Sequence, residues 1–155
     1  MEPAENCGTL DAWEANAAFW DETIGAEGNK YWQLLQVPCL KRMIPVNSGT
    51  RVLELATGNG LGAKLLASQG ALVLATDGSE SMLKLAAQRT PQDMADRIEY
   101  RLLDVTKATA FEALLDDPVV VGGFDVVLIN MAIMDIETLD PLAEALPKLL
   151  KRGGM

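Results

Sequence analysis

From Val52 onward, short apolar runs alternate with segments whose apolar residues recur at helical spacing, and this alternation constrains the fold more than any other feature. Val52 to Ala56, Leu72 to Thr76, Ile98 to Leu103 and Phe124 to Asn130 read as strands, the last being the strongest buried-strand pattern. Ala63 to Ser68, Ser79 to Gln88, Thr109 to Leu115 and Leu139 to Lys151 read as helices between and after them. Ser79 stands where an N-cap is needed, ahead of Met82 and Leu83 on an apolar face, and Gly153 and Gly154 stop the last helix. Strands separated by helices are joined by crossovers, so the expected class is α/β: a doubly wound parallel sheet with helices on both faces.

Ahead of this pattern, Asp11 to about Pro45 is helical in spacing. Trp13, Ala17, Phe19 and Trp20 form one set, a glycine break falls at Gly25 to Gly28, and Tyr31, Leu34, Leu35 and Leu40 follow. Two helices joined by a turn are expected, with Asn47, Ser48 and Gly49 dividing residues 1–48 from a core at 49–155. At 155 residues and 49% hydrophobic content the chain suits one ordinary core, and no internal repeat interrupts it.

Charge narrows the partners. Lys plus Arg number 13 against 22 Asp plus Glu, a net −9, which disfavours nucleic acid and anionic lipid headgroups. Histidine is absent, removing the commonest general base and metal ligand, so no metal site is expected. Cys7 and Cys39 show no paired spacing and read as free thiols of a reduced chain. The N-terminus MEPAENCGTLD is acidic and polar, and no apolar run approaches the roughly 20 residues that span a bilayer. A cytoplasmic protein is expected.

The segment RVLELATGNGLG carries the chemistry. It sets Glu54 in the first strand and Gly58, Gly60 and Gly62 in the turn that follows. In an open parallel sheet, ligands bind outside the carboxyl ends of the strands. Glycines there let the backbone approach a ligand, and the next helix offers free N–H groups. Asp77 follows at the end of the second strand, where a carboxylate can accept hydrogen bonds from both ribose hydroxyls, and Asp104 closes the third. Each alone reads as well as a solvated strand end or a helix cap as it does as a ligand contact; three carboxylates at successive strand ends beside one glycine turn point to a ligand.

These residues resemble the class I S-adenosylmethionine-dependent methyltransferases, which implies a Rossmann-like fold and S-adenosylmethionine as cofactor. ELATGNG is similar to the family's acidic-x-Gly-x-Gly-x-Gly segment through Glu54, Gly58 and Gly60, with Ala56 in place of the first glycine and expected to keep a negative φ. TDGSESML resembles the second-strand segment, implying that Asp77 binds the ribose while Gly78, Ser79 and Met82 line the adenosine side. LLDVT implies Asp104 near the adenine amino group and Val105 beside the ring; FDVVLINMAIMD implies Asn130 and Met131 near the methionine moiety. NAAFWDETIGAEGNKYWQLL resembles the helical lid of small-molecule methyltransferases, which brings Trp20, Asn29 or Tyr31 over the cofactor. The implied acceptor is a small molecule, with secondary metabolism as one setting. Methyl transfer from a sulfonium is an in-line displacement that needs positioning more than a dedicated base, and no catalytic residue is identified.

The same residues fit two alternatives. Gly58-Asn59-Gly60-Leu61-Gly62-Ala63 also fits the looser G-x-G-x-x-A fingerprint of NAD(P)-binding proteins, with Asp77 at a suitable distance. The resemblance also spans only about two-thirds of the family's catalytic domain, whose members continue with three further strands. The part present then has strand order 3-2-1-4, with the edge strand 124–130 carrying unpaired backbone groups and open to self-association. A shortened, inactive methyltransferase-like protein that binds cofactor or a partner is the corresponding reading.

Overall fold

A computed structural model describes residues 8–155; Cys7 and the rest of the N-terminal segment 1–7 lie outside the described residues. The first helix, α1 (Thr9–Ile24), is ended by Gly25 at φ 81°. A π-helical turn, Trp32–Gln36, then runs directly into α2 (Val37–Met43). Its cause is Pro38, which has no N–H to donate and whose ring would press on the carbonyl four residues back. The wider turn relieves this, with the Val37 N–H bonding to the Trp32 carbonyl.

The alternating segment gives β1 (Arg51–Leu55), α3 (Leu61–Ser68), β2 (Leu72–Asp77), α4 (Glu80–Gln88), β3 (Ile98–Leu102), α5 (Ala108–Leu115), β4 (Val126–Ile129) and α6 (Asp140–Leu149). Ser79 caps α4, accepting the Met82 N–H at 3.1 Å. All strand pairs are parallel and the order is β3-β2-β1-β4, with Glu54 opposite Ala75 on one side and Leu128 on the other.

Period-two alternation sorts the strand residues onto two faces. Val52, Val73, Ala75 and Val126 pack with Ala63, Leu66 and Ala67 of α3 and with Trp32, Leu40 and Ile44. Leu53, Leu55 and Leu74 pack on the other face with Phe111, Leu114, Ala145 and Leu149. Each such Val, Leu, Ile or Phe side chain contributes roughly 1.5–3 kcal/mol by its burial, and truncating a fully buried one such as Leu53 to Ala costs about 2–5 kcal/mol.

Two expectations about β4 change. The strand is four residues rather than seven and only half-buried beyond Val126, because it lies at the edge of the sheet. That edge is not bare. The chain turns back after α6, so that Lys151 N–H bonds to the Phe124 carbonyl, Met155 N–H to the Asp125 carbonyl and Val127 N–H to the Met155 carbonyl, at 2.8–3.0 Å. No helix among the described residues is long and apolar enough to cross a membrane.

Candidate functional site

The strand order reverses between β1 and β4, and a cavity of about 450 Å³ opens there, at the carboxyl ends of all four strands. The end of β1 contributes Glu54, Ala56, Thr57, Gly58 and Asn59; β2 and α4 contribute Asp77, Gly78 and Met82. Leu103 to Lys107 follow β3, and Asn130 to Ala132 follow β4. Leu10, Trp13 and Asp21 of α1 join Asn29, Trp32 and Gln36 to enclose the remaining side.

Glu54 lies beneath the glycine turn, 3% exposed, on the same face of β1 as Val52. Its Oε2 accepts the Thr57 hydroxyl at 2.6 Å. Burial pushes its carboxyl up to about 7, outweighing the Thr57 hydroxyl and the Ala63 N–H that favour the charged form; nearby Asp77 pushes the same way. The carboxylate is accommodated because position 62 has no side chain: a Cβ on Gly62 would lie 1.9 Å from Glu54 Oε1.

Asp77 is 9% exposed and already engaged with the backbone around it. Oδ2 accepts the Gly58 N–H at 2.8 Å and Oδ1 the Ser79 N–H at 2.9 Å. Burial raises its pKa against the opposing pull of these N–H groups. It thus bolts the glycine turn to the start of α4 while lining the cavity. Asp104 Oδ1 accepts the Thr106 N–H and hydroxyl at 2.9 and 2.6 Å, which fixes the turn after β3.

The glycines of the turn do different things. Gly58 has φ 57°, and nothing stands within 4 Å of where its Cβ would be, so its open side faces the cavity. Gly60, at φ 79°, faces the other way, where a Cβ would meet the Tyr100 hydroxyl at 2.7 Å and Ala86 Cβ at 3.0 Å. Gly60 is absent from the cavity lining and is required for packing. Ala56 corrects an expectation: its φ is +53°, not negative. The chain turns so sharply out of β1 that the position keeps the left-handed conformation glycine would favour, at a cost of roughly 1–2 kcal/mol for alanine.

The helical segment closes over the cavity through polar contacts absent from the sequence reading. Glu14 reaches from α1 to the start of α4, accepting the Ser79 and Ser81 hydroxyls at 2.5 and 2.6 Å, and these bonds hold its carboxyl below the usual range. Leu10 covers Gly78, whose Cβ would come within 2.7 Å of it. Thr9 donates from its N–H and hydroxyl to Glu137 Oε1, and Asn130 donates to Gln36 Oε1 at 2.9 Å.

Of the residues singled out in the sequence, Glu54, Ala56, Gly58, Asp77, Gly78, Met82, Asp104, Val105, Asn130, Met131 and Asn29 come together around one cavity. Ser79 is fully buried beneath it as the α4 cap. Trp20 and Tyr31 are not in the lining. Trp20 stacks near Trp13 with ring centroids 5.5 Å apart, and Tyr31 is 73% exposed. The helical phase instead turns Trp13 and Trp32 inward. Hydrophobic spacing could have nominated either tryptophan; Glu14 and Asp21 carry no signal, since acidic residues on a helix read as solvated.

The sequence profile of the family described as Methyltransferase domain matches residues 53–155. A demethylmenaquinone methyltransferase of Clavibacter sepedonicus is 34% identical over 132 residues, covering 85% of this chain and 48% of that protein. A ubiquinone biosynthesis O-methyltransferase of Acinetobacter baylyi is 28% identical over 107 residues, 69% of this chain and 42% of that one. Among solved structures, phosphoethanolamine N-methyltransferase 2 of Haemonchus contortus in complex with S-adenosyl-L-methionine is similar with a TM-score of 0.72 and 29% identity, over 99% of this chain and 35% of its own. The chain therefore spans about half the length of these curated relatives and about a third of the solved structure.

Proposed function

The chain belongs to the class I S-adenosylmethionine-dependent methyltransferases, and from that premise we propose that its cavity holds S-adenosylmethionine for methyl transfer to a small-molecule acceptor. The observation that carries this reading is the convergence of four strand ends on one cavity lined by carboxylates and by a glycine whose Cβ position is empty. The volume suits a nucleoside-sized ligand. The donor set suits a cationic one, because Glu54, Asp77 and Asp104 stand on three successive strand ends. The quinone-related names of the two curated relatives support a small organic acceptor.

S-adenosylmethionine supplies a methyl group activated by its sulfonium. The chain's own residues position and shield it. Gly58 gives the amino-acid portion backbone-close access, and Glu54 beneath the turn favours a nearby cationic group, whose presence in turn favours the ionised carboxylate. Asp77, held by the Gly58 and Ser79 N–H groups, directs its remaining acceptor capacity toward ribose hydroxyls. Asp104 and Val105, which line the cavity, would hold the base, and Asn130 and Met131 would border the reacting end. Residues 8–48 act as a lid, with Trp13 and Trp32 excluding water, which strengthens every electrostatic contact inside.

Parallel calorimetric titrations with S-adenosylmethionine, S-adenosylhomocysteine and NADH test the reading. Binding of the first two without NADH is expected, and NADH binding of equal or greater strength would remove it.

A further inference from the structure

Asp21 divides its carboxylate between the glycine turn after β1 and the end of α4, the helix whose start Glu14 of α1 also holds. Oδ1 accepts the Asn59 amide N–H at 3.2 Å, and Oδ2 accepts Arg89 at 2.5 Å. Asp21 is 5% exposed and Asn59 6%. Arg89 follows the last turn of α4 as its C-cap. Asn59 stands between Gly58 and Gly60, both at positive φ, and this is its one side-chain hydrogen bond among the described residues.

Besides the Thr57 bonds to Glu54 and to the Thr76 carbonyl, two aspartates hold the glycine turn. Asp77 holds the Gly58 N–H from the β2 side, and Asp21 holds the Asn59 side chain from the lid side. Between residues with positive φ the backbone has several accessible shapes, and a fixed side chain at the crest selects one of them. The contact is buried and charge-assisted through Arg89, so loss of the carboxylate leaves a guanidinium and an amide without their partner.

We infer that Asp21 is a positioning residue for the cofactor turn, acting through Asn59 to set the Gly58–Gly60 backbone, so that cofactor affinity depends on the docking of α1. This rests on the assignment of the cavity to S-adenosylmethionine. The coupling is reciprocal: a ligand seated on the turn strengthens the hold on α1, and loosening α1 weakens the ligand. Because Arg89 neutralises Asp21, the effect is one of shape rather than of added negative charge.

The test is titration of S-adenosylhomocysteine into the wild-type chain, Asp21→Ala, Asn59→Ala and the double variant, with thermal unfolding of each. Each single variant is expected to weaken binding about tenfold, and the double variant no more than the more affected single, because the two residues act in series. A role in folding alone would lower the unfolding temperature and leave affinity below the transition unchanged. Wild-type binding with both single variants within twofold of it overturns the Asp21 inference and leaves the cofactor assignment standing. No binding by wild type overturns both. Additive losses, or a loss confined to one single variant, overturn the action through Asn59. Should Asp21→Ala fail to fold, Asn59→Ala decides alone, and retained affinity there overturns the inference.

Discussion

Glu54 Oε1 occupies the space that a Cβ on Gly62 would require, with only 1.9 Å between them. A buried carboxylate and a missing side chain eight residues later are therefore one feature. Gly62→Ala is expected to displace Glu54 from its bond with Thr57 and destabilise the fold by about 1–3 kcal/mol, the usual range for overpacking. Denaturant unfolding of the variant checks this, and unchanged stability would mean that Glu54 has another place to go.

Glu54 also sets a pH dependence. Its folded pKa of about 7 lies above the ordinary 4.5, so between these values the folded state binds the extra proton. Its contribution is fully present below pH 4.5 and is lost as pH rises to about 7, a change on the order of 3 kcal/mol if the unfolded carboxyl is unperturbed. Asp77, also raised by burial, acts with the same sign. Unfolding measured at pH 5 and pH 8 is expected to show a smaller difference in Glu54→Gln than in the wild type, and equal differences would place Glu54 in a more polar setting.

Ala56→Gly should stabilise the chain. At φ 53° alanine bears a steric cost that glycine does not, partly offset by glycine's greater freedom when unfolded, leaving about 0.5–1 kcal/mol in favour of the variant. A shift of the denaturation midpoint to higher denaturant is the expected result; a shift to lower denaturant would count against the left-handed turn.

Asp77→Ala is expected to weaken S-adenosylhomocysteine binding by about 1–3 kcal/mol, because it removes charge-assisted hydrogen bonds to the ribose and frees the Gly58 N–H. Gly58→Val should abolish binding by filling the open side of the turn with a branched side chain at a positive φ. Calorimetry on folded variants measures both, and unchanged affinity in either removes that residue from the site.

Self-association through 124–130 is the remaining expectation. Lys151 and Met155 already bond to part of this edge, so the drive rests on the half-buried Val127, Leu128 and Ile129 of the strand that lies at the edge of the sheet among the described residues. Light scattering over a dilution series should show concentration-dependent association, and a monodisperse monomer throughout would discard it.

The sequence by itself determined the parallel sheet and the strand-end carboxylates, because apolar periodicity is local and a doubly wound sheet places successive strand ends side by side, while the strand order was implied by the family resemblance. Tertiary structure decided what each residue does there. Gly58 and Gly60 look alike in the turn, yet one faces the cavity and the other packs on Tyr100 and Ala86; only the path of the chain separates them. Ala56 took the left-handed conformation because the exit from β1 overrode its own preference. Glu14 and Asp21 read as solvated positions of an exposed helix until that helix docked. A polar side chain's role is fixed by the partners brought to it, and Ser79, Asn59 and Arg89 lie 38 or more residues away in the chain.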